Sequence, residues 1–466
     1  MPVHLSLAEM SARLRSRTLS PVELVDAHLA RIERANPSLN AFVCVLADEA
    51  RAAAREAAQR IASEGPRGPL DGIPFTIKDS FDVAGLPTTC GSRFHAGTRA
   101  AHDSTVMRRM RDAGAILLGK TNTPEFLASY ETDNYITGRT NNPWDLERTP
   151  GGSSGGEASA IAAFLSPGGI GSDGGGSIRM PAHFTGIAGL KPTPGRISTT
   201  GHVPAMTNPA GMLGVAGPMA RTAADVRLLF QTLAGYDPAD PFSVPVGPRK
   251  PQLDGLRIGL MEQFGQVPVQ PDIRNVVQRA AACLGDLGFE VEPFAVTGLE
   301  RTPNLWSFLF SELPARGTRD FIAGREQDAH WTSTEFLYRA LEKPEPTSRR
   351  ILEVLASRDR MRAELLARMD RTPVVLTPAC GITAFRHRER RWPTGVKDIG
   401  LFEAVIPLTP FNLLGLPGMV IPFGLAGDGL PIGVQLVARP FEDEMLLELA
   451  VRLEQVRGPF PGPKGY

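Results

Sequence analysis

Residues 151–181, GGSSGGEASAIAAFLSPGGIGSDGGGSIRMP, constrain this chain more than any other stretch. Each glycine costs a helix or strand about 0.5–1 kcal/mol against alanine, so glycine clusters mark tight bends or close backbone approaches. Both clusters carry serines, Ser153 and Ser154 in the first and Ser177 in the second. The small-residue run 158–164 between them reads as a tightly packed helix, which argues against a flexible linker. Upstream, Gly72-Ile-Pro-Phe-Thr-Ile-Lys78-Asp79 is an apolar strand-like run that ends on a lysine. Two displayed serine sites and one lysine at the end of a buried run suggest a nucleophilic serine.

Other readings of these loops fail on chemistry. A phosphate-binding loop needs a lysine directly after its glycines, and neither cluster has one. A dinucleotide site needs an acidic residue about 20 positions on, closing a βαβ unit, and none is recognisable. Ser177 is followed by Ile178 and Arg179, so the Gly-x-Ser-x-Gly elbow is absent. A serine nucleophile also requires a base. Of the eight histidines only His183 lies near the loops, and it reads as an ordinary core residue. Burial disfavours a lysine's charged form, which makes Lys78 a candidate base.

The 50 basic and 50 acidic side chains cancel, which offers no general attraction to nucleic acid or an anionic membrane. With 42% apolar residues the 466-residue chain can bury a large core, read here as one unit. Cys44, Cys90, Cys283 and Cys380 are scattered without metal-ligand spacing, as expected of reduced thiols in a cytoplasmic protein that needs no metal or other cofactor. Neither a signal peptide nor a membrane-spanning run of about 20 apolar residues is read. Ser20-Pro21-Val22-Glu23 is a helix start with a capping box, and an alanine-rich helix follows Asp48. Strands are expected at 73–77, 115–118, 256–260, 374–376, 418–422 and 432–437, and helices at 105–113, 271–287, 303–322 and 348–369. That alternation predicts an α/β fold with helices around a central sheet. The basic run 386–391 reads as a solvated loop.

Taken together, these motifs closely resemble the amidase signature family, which includes bacterial amidases, aryl acylamidases, fatty acid amide hydrolase and the glutaminase subunit of glutamyl-tRNA amidotransferase. The likeness is carried by 72–79, Gly119-Lys-Thr-Asn122, Asn142-Pro-Trp-Asp145, 150–156, 171–179, 186–193, 411–417 and 430–435. It fades across about 241–370, which is read as a less typical helical cover of a single domain spanning 1–466. The resemblance implies a large mixed sheet covered on both faces by helices. It also implies a Ser–cisSer–Lys triad of Ser177 as nucleophile, Ser153 as bridge and Lys78 as base. Gly174, Gly175, Gly176 and Ser177 would supply the oxyanion hole, with Ser154, Asp173 and Arg179 in support. Asp79 is expected to play a similar local part beside Lys78.

Substrate is the open question, because fold and triad do not choose it. The glutaminase relatives hold the substrate amino group with an aspartate ahead of the segment matching 407–412; Ile406 stands at that position here. The same matching puts Leu127 and Ala128 in the acyl channel. Both comparisons imply a neutral, fairly hydrophobic amide, anilide or carbamate (urethane); the expected partner is such a small molecule, and the chain is expected to be a monomer or homodimer. A glutaminase subunit of an amidotransferase is the alternative within the family, and a non-catalytic scaffold is the alternative outside it.

Overall fold

The computed structural model describes residues 2–466. Eleven strands form one mixed sheet: β1 (Phe42–Val45), β2 (Pro74–Lys78), β3 (Ile116–Thr121), β4 (Gly168–Asp173), β5 (Ala188–Lys191), β6 (Val215–Ala220), β7 (Arg257–Leu260), β8 (Glu290–Pro293), β9 (Val374–Pro378), β10 (Gly418–Leu425) and β11 (Pro431–Ala438). Their spatial order is β1-β3-β2-β4-β6-β5-β10-β11-β9-β7-β8. The β2/β3, β2/β4, β7/β8 and β7/β9 pairs are parallel and the others antiparallel.

Helices cover both faces because strand side chains alternate between them. Met419 and Ile421 of β10 enter one apolar cluster, shared with helices Ala223–Leu233, Pro271–Asp286 and Asp443–Arg457. Val420 enters another, shared with helices Gly155–Ala162 and Arg179–Thr185. The capping box at Ser20 is present and opens helix Pro21–Leu39. Among the described residues no helix is long and apolar enough to cross a membrane.

Two expectations need correction. The stretch 241–370 is not wholly a helical cover, since β7 and β8 lie inside it and extend the sheet. The helix expected at 303–322 is broken into Thr302–Ser307, a π-helical turn at Phe308–Glu312, and Ala315–Ile322. Pro314 sits at the second break, where its missing N–H and its ring cannot continue a helix.

Candidate active site

β2, the third strand from the β1 edge of the sheet, ends on Lys78. Its parallel register against β4 sets Ile77 opposite Ile170, so Lys78 emerges beside Ser172. Lys78 Nζ lies 2.7 Å from Ser153 Oγ and 3.1 Å from Ser172 Oγ, all buried. Burial lowers its pKa from 10.5 to about 7, outweighing the opposing influence of Cys90, Asp173 and Glu157. Asp79 does not serve Lys78. It pairs with Lys120 of β3 at 2.7 Å and accepts hydrogen bonds from Thr89.

Ser153 follows a cis Gly152–Ser153 peptide bond, and Thr123 Oγ1 donates to its carbonyl at 2.9 Å. Ser154, just ahead of helix Gly155–Ala162, joins the two serine loops. Its N–H donates to the Ser177 carbonyl at 3.1 Å and its hydroxyl to the Ser172 carbonyl at 3.3 Å. Every residue from 171 to 176 is buried, whereas Ser177 is partly exposed and lines a cavity.

Asp173 and Arg179 brace the glycine loop from behind. Arg179 donates to Asp173 through Nε at 3.0 Å and reaches Gln435 Oε1 at 2.8 Å, while Asn412 Nδ2 donates to Asp173 at 2.9 Å. Burial alone would raise the Asp173 carboxyl, but the Arg179 guanidinium holds it well below the usual carboxylate range. Asp173 also accepts the Gly176 N–H at 2.7 Å, which takes Gly176 out of the expected oxyanion hole. Among the described residues the N–H groups of Gly174, Gly175 and Ser177 are bonded to no protein acceptor. Two successive carbonyls of the loop are held as well: Trp306 Nε1 donates to Gly174 and Tyr130 Oη to Gly175, each at 2.7 Å.

The cavity has a volume of about 790 Å³. Leu127 and Ala128 line it, with Phe126, Trp306, Phe310, Phe321 and Phe336. Among the described residues no Asp, Glu, Lys or Arg side chain lines its wall. Ile406 does not line it either. At 4% exposed, it packs behind the wall in the apolar cluster that contains Trp306 and Leu309. His183 is a core residue, with Gly433 N–H donating to Nδ1 at 2.8 Å and Nε2 3.0 Å from the Ile382 carbonyl. The run 386–391 is only partly solvated. Arg390 bridges Glu131 at 2.7 Å and Glu335 at 3.1 Å, and Arg388 lies 3.8 Å over the Trp331 ring, tying helix Trp331–Leu341 to the segment after Ala128.

The sequence reading missed Ser172, Tyr130 and Trp306. Ser172 carried only one local signal, its place directly before the Asp-Gly-Gly-Gly-Ser loop. Trp306 reaches the loop from 132 residues away and had no local signal.

A family model described as Amidase matches residues 23–447. A glutamyl-tRNA(Gln) amidotransferase subunit from Acidothermus cellulolyticus is 36% identical over 478 residues, covering 96% of this chain and 93% of that one. Among solved structures, 6-aminohexanoate cyclic dimer hydrolase complexed with substrate is 30% identical at a TM-score of 0.86, covering 100% of this chain and 99% of that one. A structure of a vestigial protein complex that reveals the origins of an s-triazine catabolic enzyme matches at a TM-score of 0.90 and 29% identity, covering 97% and 99%.

Proposed function

The chain belongs to the amidase family and is an enzyme acting on carbon–nitrogen bonds, and we propose that it hydrolyses neutral, largely apolar amides, anilides or carbamates through an acyl-enzyme on Ser177. One observation carries the substrate class: the cavity beside Ser177 is walled mainly by apolar and aromatic side chains, with neutral polar groups such as Thr207, Asn208 and Ser333 but no Asp, Glu, Lys or Arg. A substrate ammonium or carboxylate would lose its hydration there without gaining a counter-charge, at a cost of several kcal/mol.

Supporting the chemistry is the 2.7 Å contact between Lys78 and Ser153 and the buried setting that keeps much of the lysine neutral near pH 7. The Lys78 amine accepts the Ser153 proton while Ser153 accepts that of Ser177. Ser177 Oγ bonds to the carbonyl carbon, and the carbonyl π pair moves onto oxygen. The N–H groups of Gly175 and Ser177 receive that oxyanion, each donor being worth about 3 kcal/mol. Returning the proton from Lys78 through Ser153 to nitrogen breaks the C–N bond and releases the amine. Water then attacks the acyl ester by the same relay.

A second reading has its own support. The curated relative belongs to an amidotransferase, which favours a glutaminase subunit with protein partners over carbamate hydrolysis. A panel of a neutral anilide, an apolar carbamate and L-glutamine, assayed on the purified chain and on Ser177→Ala, separates the two. Anilide turnover that exceeds glutamine turnover and vanishes in Ser177→Ala supports the first reading. Glutamine as the best substrate replaces it with the second.

A further inference from the structure

We propose that Trp306 is a positioning residue that aims the Gly175 N–H at the oxyanion; the proposal rests on the acyl-enzyme reading of Ser177. The residue belongs to the short helix Thr302–Ser307, outside both the sheet and the serine loops. Its indole N–H reaches the Gly174 carbonyl in a buried contact, with Trp306 only 5% exposed. A trans peptide carries its C=O and N–H on opposite sides. Anchoring the Gly174 carbonyl therefore turns the Gly175 N–H away from the indole. Tyr130 fixes the next peptide by its carbonyl, and Asp173 takes that peptide's N–H from Gly176. Gly174 also keeps a free N–H, on a peptide that Asn412 holds through the Asp173 carbonyl at 3.1 Å; of these two free glycine donors, Gly175 is the one set by a residue of the helical cover.

Shape supports the same assignment. A Cβ on Gly175 would collide with the Trp306 ring, and one on Gly174 would lie 2.8 Å from Phe310. The two rings stack with centroids 4.8 Å apart. Bare glycines at 174 and 175 leave the volume that this aromatic pair fills, so loop and cover are built to each other. Three consecutive glycines have wide backbone freedom, and a donor that wanders stabilises the oxyanion poorly.

Two replacements test this. Trp306→Phe keeps an aromatic ring against Phe310 and deletes the donor. Replacing Trp306 by β-(3-benzothienyl)alanine keeps the bicyclic shape and puts sulfur where the N–H stood, and it carries the test if the Phe variant folds poorly. Each is assayed on a neutral anilide, and each is titrated with an apolar trifluoromethyl ketone, whose Ser177 hemiketal puts an oxyanion in the hole, and with the matching methyl ketone. We expect kcat to fall about 10–100-fold and KM to stay within about threefold. Trifluoromethyl ketone affinity should fall in parallel with kcat while methyl ketone affinity and the acid limb of the pH profile stay unchanged. A benzothienyl variant with kcat within about threefold of wild type, or equal weakening of both ketones, overturns the positioning role. Full activity in Ser177→Ala overturns the acyl-enzyme reading instead, so the two failures are distinct.

Discussion

Replacing Lys78 with methionine should remove catalysis and, near neutral pH, strengthen the fold. The lysine is fully buried, and its pKa is lowered from 10.5 to about 7. That displacement means the folded protein tolerates the ammonium about 5 kcal/mol less well than the unfolded chain does. Between the two values the unfolded state binds the extra proton, so stability rises with pH across that window and is lowest below about pH 7. Methionine has a similar apolar stem and no charge. It leaves Ser153 and Ser172 each without the lysine contact, at about 1 kcal/mol apiece. The variant should therefore be more stable than wild type by about 2–3 kcal/mol near pH 7, and the advantage should disappear by about pH 10. Chemical denaturation of both proteins at several pH values reads the difference directly. Amide turnover should fall at least about 10³-fold in the variant, within the range of lost general-base catalysis. In wild type, acylation should decline on the acid side below about pH 7. A stability difference that stays constant with pH, or a well-folded Lys78→Met enzyme with near-normal amide turnover, refutes the reasoning.

Asp173→Asn should strip Arg179 of its buried counter-charge and cost about 3–5 kcal/mol of stability, seen as a lower denaturation midpoint. Leu127→Asp introduces a carboxylate into the uncharged wall, so kcat/KM for a neutral anilide should fall at least about tenfold with the fold retained in circular dichroism. Arg390→Ala cuts the bridge from Glu131 to Glu335 and should cost about 1 kcal/mol, with KM raised more than kcat is lowered because helix Trp331–Leu341 carries cavity residues.

Local patterns announced their own elements well. Helix Ser348–Met369 falls where its pattern placed it, and Pro271–Asp286 ends one residue short of the expectation. Strand β2 was legible from the apolar run ending at Lys78 because both of its faces are buried. β4, Gly168–Asp173, was not identified as a strand, since among its glycines, serine and aspartate only Ile170 is a strong strand former. It holds its place through neighbours on both sides, β2 and β6, which no local window contains. The same division governs the site. Lys78, Ser153 and Ser177 were named as the candidate triad from motifs, whereas the spent Gly176 N–H depends on how the Asp173 carboxylate folds back over three residues. Ile406 was placed in the substrate wall by position matching alone. In the fold its side chain turns into the core behind Trp306 and Leu309, so the uncharged cavity owes its character to Leu127, Phe310 and their neighbours.

The most direct test is to label the protein with an apolar fluorophosphonate and map the adduct by peptide mass spectrometry. The account predicts one adduct per chain, on Ser177, formed more slowly in Lys78→Met and absent in Ser177→Ala. Stoichiometric labelling at Ser153, Ser154 or Cys90, or labelling that persists in Ser177→Ala, would contradict it.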